Sequence, residues 1–267
     1  MSKAMLVDTT RCVGCRGCQV ACKSWNELGA GQAAFSDTGS NPRYLDANNF
    51  TRVLFREVAT DDGGVRWTFV KRQCMHCLEP ACASACPVGA LVKTAEGAVT
   101  YRDDRCIGCR YCLVACPFQV PKYQWSSTVP YVRKCTFCSD RQAMGKKPAC
   151  VGTCPTGALA LGERDQLLQE AHRRIESDPE RYHSEVYGER TAGGTGVLYL
   201  TALPFEKLGL QDQGFRTDLG DQPHGRAGKQ WMSGVPWVAL TVGGASIALY
   251  HLNQRRAEVE KQEGKEG

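Results

Sequence analysis

The sequence predicts an α+β protein, with a cysteine-rich body of short strands and helical turns followed by one apolar helix. Three observations support this fold class. Sixteen cysteines fall in four tight groups, and none lies after Cys154 in a chain of 267 residues. Short apolar runs between the groups alternate with turn-forming residues, which is typical of short strands. From Gln230 to Tyr250 the chain then carries no formally charged residue.

Strands are predicted from the apolar runs. Met5–Asp8 leads directly into the first cysteine group. Val53–Val58 and Trp67–Lys71 are predicted to form one β-hairpin, and Ala90–Lys93 and Ala98–Tyr101 a second.

Beyond the last cysteine, the sequence predicts a helix and then a surface segment. Residues 165–177 carry Leu168, Ala171 and other apolar residues at helical spacing. Residues 166–229 are therefore assigned to this helix and to an extended surface segment rich in glycine and polar residues. Val197–Leu200 is the strand candidate within that segment.

The four cysteine groups have the spacing of iron–sulfur ligands. In chain order the quartets are Cys12, Cys15, Cys18, Cys22; Cys74, Cys77, Cys82, Cys86; Cys106, Cys109, Cys112, Cys116; and Cys135, Cys138, Cys150, Cys154. A C-x2-C-x2-C run places three thiolates around one [4Fe–4S] core, and in two-cluster ferredoxins the fourth cysteine ligates the other cluster. The third quartet has this run followed by Pro117, and the first has Lys23 in place of the proline. The second and fourth have longer inner loops but keep the closing x3 spacing.

Zinc and disulfides are the alternatives for these cysteines. Paired C-x2-C motifs also bind structural zinc, so the fourth quartet taken alone is compatible with a zinc site. Tetrahedral zinc does not account for four such quartets in succession. A disulfide framework would call for an export signal, and Met1–Thr10 has no basic region followed by an apolar core. The spacing therefore favours four [4Fe–4S] clusters.

The ferredoxin rule also predicts which cysteines share a cluster. Quartets two and three are separated by a linker of hairpin length and form one module, so quartets one and four pair around it. The predicted ligand sets are Cys12, Cys15, Cys18, Cys154; Cys22, Cys135, Cys138, Cys150; Cys74, Cys77, Cys82, Cys116; and Cys86, Cys106, Cys109, Cys112. Residues 1–165 are thus expected to form two nested bacterial-ferredoxin-like two-cluster modules.

Basic residues crowd the cysteine loops. They are Arg11, Arg16, Arg72, Arg105, Arg110, Lys122, Arg133, Lys134, Lys146 and Lys147. Positive charge beside a cluster raises its reduction potential. A solvated surface is the favoured interpretation for Lys146 and Lys147. His76 lies between Cys74 and Cys77, but it is not expected to be a ligand because four thiolates are already available.

Residues 230–252 are predicted to form a transmembrane helix. About 20 helical residues at roughly 1.5 Å rise span the roughly 30 Å hydrocarbon core. Trp231, Trp237 and Tyr250 lie towards the ends, where aromatic rings favour the membrane interface. Pro236 is expected in the first turn, where its missing N–H is harmless. A buried core helix is the alternative, although nothing nearby in the sequence could bury so apolar a segment.

The charged tail, residues 253–267, bears on the membrane orientation. Arg255 and Arg256 follow the span closely, which weakly favours a cytoplasmic carboxyl terminus with the cluster body on the periplasmic side.

The remaining composition excludes several function classes. The formal net charge of +5 is modest for this length and indicates no nucleic-acid partner. Neither a nucleophile triad nor paired acid/base carboxylates are evident. The glycine-rich stretch Gly193–Gly196 is neither a dinucleotide-binding motif nor a P-loop. The chain is therefore predicted to conduct electrons without catalytic residues of its own.

Taken together, these motifs resemble the four-cluster iron–sulfur subunits of molybdopterin oxidoreductases, and most closely the β subunit of membrane-bound respiratory formate dehydrogenase. The resemblance covers nearly the whole chain, including the final span and charged tail. The segments that carry it are Cys12–Cys22 with Trp25–Asn26, Cys74–Cys77, Cys106–Phe118, Lys134–Cys138 with Asp140–Arg141, Cys150–Ala158, and Gly193–Thr195 with Val197–Tyr199.

The resemblance implies a heterotrimeric complex in the cytoplasmic membrane. A catalytic subunit would hold molybdopterin with molybdenum or tungsten and oxidise formate. This chain would pass the electrons through four clusters to a cytochrome b subunit that reduces a quinone. The missing leader would be supplied by a twin-arginine signal on the catalytic partner. The equivalent subunit of a membrane hydrogenase, one of a polysulfide or nitrite-type reductase, and a stand-alone polyferredoxin remain open as alternatives.

Overall fold

The computed structural model describes residues 2–31, 35–59, 63–128, 131–210 and 224–263, leaving aside the side chains of 224–233 and 259–263. The strands described are β1 (Lys3–Asp8), β2 (Arg52–Ala59), β3 (Val65–Arg72), β4 (Leu91–Lys93), β5 (Val99–Tyr101), β6 (Lys122–Tyr123), β7 (Val132–Arg133), β8 (Leu159–Glu163) and β9 (Val197–Leu200). The helices described are α1 (Gly17–Trp25), α2 (Ala81–Ser84), α3 (Tyr111–Ala115), α4 (Ser139–Ala143), α5 (Ala149–Gly152), α6 (Arg164–Ser177) and α7 (His224–Glu263). This mixture of helices and strands confirms the predicted α+β class.

Strand β1 is the centre of the body. It pairs antiparallel with β8 and parallel with β9. Met5 and Val7 belong to the core that contains most of the cysteines, whereas Ala4 and Leu6 pack in a second core with α6. Because successive side chains of a strand point to opposite faces, β1 joins the cysteine core to the α6 layer.

Both predicted hairpins and the predicted helix are confirmed. Strands β2 and β3 pair antiparallel with Val53 opposite Lys71, and β4 pairs with β5. Helix α6 covers residues 165–177 as expected. A third hairpin joins β6 to β7; it was not predicted, because strands of two residues carry no readable alternation.

The region expected to be a surface segment differs in part from that expectation. Every residue of β9 is fully buried, because the strand enters the central sheet beside β1. The hydroxyl of Tyr199 donates to the carbonyl of Lys71 at 2.7 Å, and that of Tyr187 donates to the carbonyl of Leu210. The many glycines of this region give it the composition of a loop. Its few large side chains nevertheless pack in the core. Residues 211–223 of this segment lie outside the described part.

Helix α7 contains the predicted span and extends beyond it in both directions. Within the described residues, Gly234–Glu258 is the one stretch long and apolar enough to cross a membrane, with a mean hydropathy of 1.4 and no buried residue. The expectation for Pro236 is wrong, because the helix begins at His224 and the proline lies inside it. Neighbouring groups can satisfy the backbone that such a proline leaves free in a membrane helix. The side chain of Trp231 and the last four residues of the tail lie outside the described part.

Candidate iron–sulfur sites

All four quartets share one backbone turn. The second residue after the first cysteine has a positive φ in each: Gly14 (68°), His76 (47°), Gly108 (71°) and Phe137 (63°). In this left-handed region the chain reverses tightly, so the next cysteine returns towards the same space. Glycine adopts such angles readily, and the two non-glycine cases are both packed in the core. The same cysteine spacing thus gives the same backbone turn in all four quartets.

The structure brings the sixteen cysteines together in four sets that draw on different quartets. We call them site I (Cys12, Cys15, Cys18, Cys154), site II (Cys22, Cys135, Cys138, Cys150), site III (Cys74, Cys77, Cys82, Cys116) and site IV (Cys86, Cys106, Cys109, Cys112). That each set ligates one cluster, as the ferredoxin rule predicts, remains a prediction.

Sites I and II each surround an internal space. All four cysteines of site I border one such space, together with Lys71. All four cysteines of site II border another. The closing cysteine of the first quartet therefore lies in the second space, and that of the fourth quartet in the first.

Mutual electrostatic effects connect the members of sites III and IV. Burial raises the pKa of Cys77 well above its usual value, and the thiolates of the other three members of site III raise it further. In site IV, burial raises the pKa of Cys112 to about 12, and the thiolates of Cys82, Cys86, Cys109 and Cys106 add to the shift. Three of these four belong to site IV and one to site III, so the two sites adjoin.

The four sites form a row. Cys18 of site I interacts electrostatically with Cys150 of site II. Cys135 of site II interacts in the same way with Cys74 of site III, and site III adjoins site IV through Cys82. Two cysteines are solvent-exposed, Cys15 in site I and Cys109 in site IV. The row is thus open to solvent at both ends and buried in its middle.

The donor chemistry fits an iron–sulfur cluster. The backbone N–H of Ala90 donates to Sγ of Cys86 at 3.2 Å, and that of Phe137 to Sγ of Cys135 at 3.4 Å. Such N–H···S bonds stabilise a thiolate that ligates a cluster. Burial raises the pKa of Cys22 to about 12, the ammonium of Lys71 lowers it, and nearby thiolates raise it again. A thiol of this kind becomes a thiolate when iron displaces its proton.

Two lysines beside the sites, one buried and one half-buried, escape prediction from the sequence. Lys71 is fully enclosed among sites I and II, where its ammonium donates to the amide oxygen of Gln73. Burial lowers the pKa of Lys71, but the thiolates of Cys150, Cys18 and Cys135 raise it to a net value above the ordinary one.

The second such lysine is Lys93, which donates to three carbonyls at 2.8–2.9 Å, two of them those of His76 and Cys77. Neither lysine lies inside a cysteine motif. One sequence feature could have indicated that Lys71 lies beside a site: Lys71 and Gln73 come shortly before the first cysteine of the second quartet.

Basic residues expected near clusters divide into two groups. Lys134 is buried, donates to the carbonyl of Cys135 at 2.9 Å, and lowers the pKa of Cys82, which burial raises. Arg110 instead stacks over Trp125, 4.4 Å from the ring centroid. Lys146 and Lys147 are exposed, as the surface interpretation expected.

Single-ion sites are a separate question. Among the residues that the structure describes, no three His, Cys, Asp or Glu side chains form a group that could hold one metal ion.

Comparison with known proteins identifies the cofactor class. Residues 65–164 match one family described as a 4Fe-4S dicluster domain, and residues 11–90 match a second family with the same description. The first match includes the whole fourth quartet, for which zinc was the alternative. The quartets are thus those of [4Fe–4S] proteins.

Relatives extend over most of the chain. A protein of Nitratidesulfovibrio vulgaris is 43% identical over 249 residues, covering 92% of this chain and 66% of the relative. The nitrate-inducible formate dehydrogenase iron–sulfur subunit of Escherichia coli is 39% identical over 200 residues, covering 74% and 67%. The hydrogenase-2 operon protein HybA of Escherichia coli O157:H7 is 36% identical over 240 residues, covering 78% and 73%. The chain thus spans about two thirds of the length of the first two of these relatives.

Proposed function

Because the chain belongs to the family of ferredoxin-type iron–sulfur electron-transfer subunits that includes formate dehydrogenase subunits and HybA, we propose that it conducts electrons through four [4Fe–4S] clusters. Sites I to IV would each hold one cluster on four cysteines. The observation that carries this proposal is the row of four adjoining sites with an exposed cysteine at each end. Electrons can enter and leave only where a cluster approaches the surface.

The nested arrangement is part of the same proposal. Sites I and II would form one two-cluster module, in which Cys22 and Cys154 are exchanged between the first and fourth quartets. Sites III and IV would form the inserted module, with Cys86 and Cys116 exchanged. The two cavities whose cysteines come from quartets one and four support the exchange. The domain limits at residues 165, 229 and 252 remain predictions.

Formate oxidation by a molybdopterin catalytic subunit is the proposed source of the electrons. Two of the relatives that support it are formate dehydrogenase iron–sulfur subunits at 38–39% identity. A membrane hydrogenase is the second candidate, because the match to HybA covers 73% of that relative, more than the match to the formate dehydrogenase subunit does. The chain itself is proposed to carry no substrate chemistry.

A membrane cytochrome b subunit that reduces quinone is the proposed acceptor. Helix α7 would cross the membrane and hold the cluster body at its surface, on the periplasmic side, with the carboxyl terminus in the cytoplasm. The exposed apolar side chains of Gly234–Glu258 support the membrane location. Helix α7 also contacts α2, which contains Cys82 of site III. This contact favours electron exit from the end formed by sites III and IV.

One experiment distinguishes the two candidate donors. The native complex is purified anaerobically, oxidised, and mixed either with formate or with hydrogen while the cluster spectrum is recorded. We expect rapid reduction by formate and none by hydrogen. Reduction by hydrogen alone would replace formate dehydrogenase with the hydrogenase assignment. Failure of both donors to reduce clusters that dithionite does reduce would refute both assignments.

A further inference from the structure

His76 lies in the loop that carries two cysteines of site III, but its imidazole ring contacts a cysteine of site II. The residue lies between Cys74 and Cys77, and its side chain is completely buried. Its Nε2 atom is 3.5 Å from Sγ of Cys135 in site II. The ring also packs on Phe137, with the ring centroids 4.6 Å apart. One side chain thus connects the two inner sites of the row.

The direction of the hydrogen bond follows from the other ring nitrogen. The backbone N–H of Val99 donates to Nδ1 of His76 at 2.9 Å, so Nδ1 carries no proton. A neutral imidazole has one N–H, which is then on Nε2. Its Nε2–H therefore donates to the Cys135 sulfur.

The backbone holds the ring in this position. His76 has a φ of 47°, and its carbonyl accepts from Nζ of Lys93 at 2.9 Å and from the N–H of Gly196 at 3.1 Å. A Cβ at Gly196 would lie 2.9 Å from that carbonyl, so the residue before β9 approaches the loop as closely as glycine allows. Hydrogen bonds from Val99, Lys93 and Gly196 thus hold the backbone and the ring of His76 in place.

We propose that His76 is a positioning residue which, through Cys135, raises the reduction potential of the site II cluster relative to its neighbours. A hydrogen bond to a ligating sulfur stabilises the reduced cluster, because that form carries the additional negative charge. His76 therefore favours electron residence on site II at the junction between the two modules. This inference rests on the proposed cluster sites and adds to them a residue that is not a ligand.

Two substitutions separate the hydrogen bond from the packing of the ring. The amide nitrogen of glutamine falls near the position of Nε2, so His76→Gln retains a donor to Cys135. His76→Asn retains a group near Nδ1 for Val99 but loses the donor to Cys135. Backbone strain predicts the opposite order, because asparagine tolerates a φ of 47° better than glutamine does. The two explanations thus predict opposite rankings of the variants.

The test is a redox titration of the native complex, followed by electron paramagnetic resonance, with each variant compared with the wild type. We expect His76→Asn to lower one of the four midpoint potentials, on the order of tenfold in the electron equilibrium (about 59 mV for one electron), and His76→Gln to restore it. The affected midpoint should be the one that Cys138→Ser alters. His172→Asn, at a half-buried histidine paired with Glu189, is the matched control and should move none.

Other results overturn the inference. An unchanged site II midpoint in His76→Asn, a larger shift in His76→Gln, or an equal shift of all four midpoints would each contradict the role of the donor. Loss of iron in both variants would assign His76 to folding instead. If the wild-type complex itself lacks four reducible clusters, the proposed function fails rather than this inference.

Discussion

Replacing Lys71 with methionine tests whether a buried charge adjusts the first two clusters of the row. Lys71 is 2% exposed and lies among thiolates of both site I and site II. Its ammonium lowers the pKa of Cys18, Cys22 and Cys135, each of which burial raises. Lys71→Met removes one positive charge while keeping a long, flexible side chain. The reduced clusters then lose an attractive interaction, so both midpoint potentials should fall.

The size of the effect follows from Coulomb's law. A unit charge roughly 8 Å from a cluster, at an effective dielectric constant of about 20, contributes about 2 kcal/mol. For a one-electron couple this is about 90 mV. Salt screens a buried charge only weakly, so the shift should persist at high ionic strength.

Potentiometric titration of the native complex measures this shift directly. We expect the midpoints of sites I and II to fall by about 90 mV and the other two to fall by less, because the interaction weakens with distance, with Lys71→Arg close to the wild type. Lys147→Met removes an exposed lysine and serves as the matched control. Four unchanged midpoints, or a fall confined to the clusters of sites III and IV, would refute the reasoning.

Three further predictions test other parts of the account. Cys22→Ser should remove the site II cluster and leave that of site I, as resolved by electron paramagnetic resonance, and loss of site I instead would refute the exchange of cysteines between quartets. Asp8→Asn should lower the free energy of unfolding, measured by thermal denaturation, by about 3 kcal/mol. The reason is that the buried carboxylate accepts hydrogen bonds from Tyr182 and Arg174 at 3.0 Å each. A change below about 1 kcal/mol would contradict this. Burial raises the pKa of the free Cys18 thiol to about 11, so protons compete with iron for this sulfur more strongly as pH falls. The fraction of iron retained against a chelator should therefore decrease from about pH 8 to about pH 6. Iron retention that does not depend on pH would contradict this.

Local patterns predicted those features of the fold that local geometry determines. The C-x2-C spacing indicated tight loops, and the same left-handed turn recurs at Gly14, His76, Gly108 and Phe137. The β2–β3 and β4–β5 hairpins followed from apolar alternation between turn signals. Helix α6 followed in the same way from apolar residues at helical spacing.

Features that depend on distant parts of the chain could not be predicted. Strand β9 is buried because it pairs with β1, which lies nearly 200 residues earlier in the chain. As a charged residue of a predicted strand, Lys71 would be expected at the surface. In the structure, β3 places it between the cysteines of sites I and II. The ring of His76 reaches Cys135 only because the fourth quartet folds back onto the second. Each is a consequence of tertiary packing, to which periodicity and spacing are insensitive.

The most direct measurement of the central claim is the metal content and redox stoichiometry of the full chain, purified anaerobically and separated from its partner subunits. We expect about sixteen irons and sixteen acid-labile sulfides per chain, four of each per cluster, with four separate one-electron reductions. Zinc bound to any quartet in place of iron, or fewer than four reducible clusters at full metal occupancy, would contradict it.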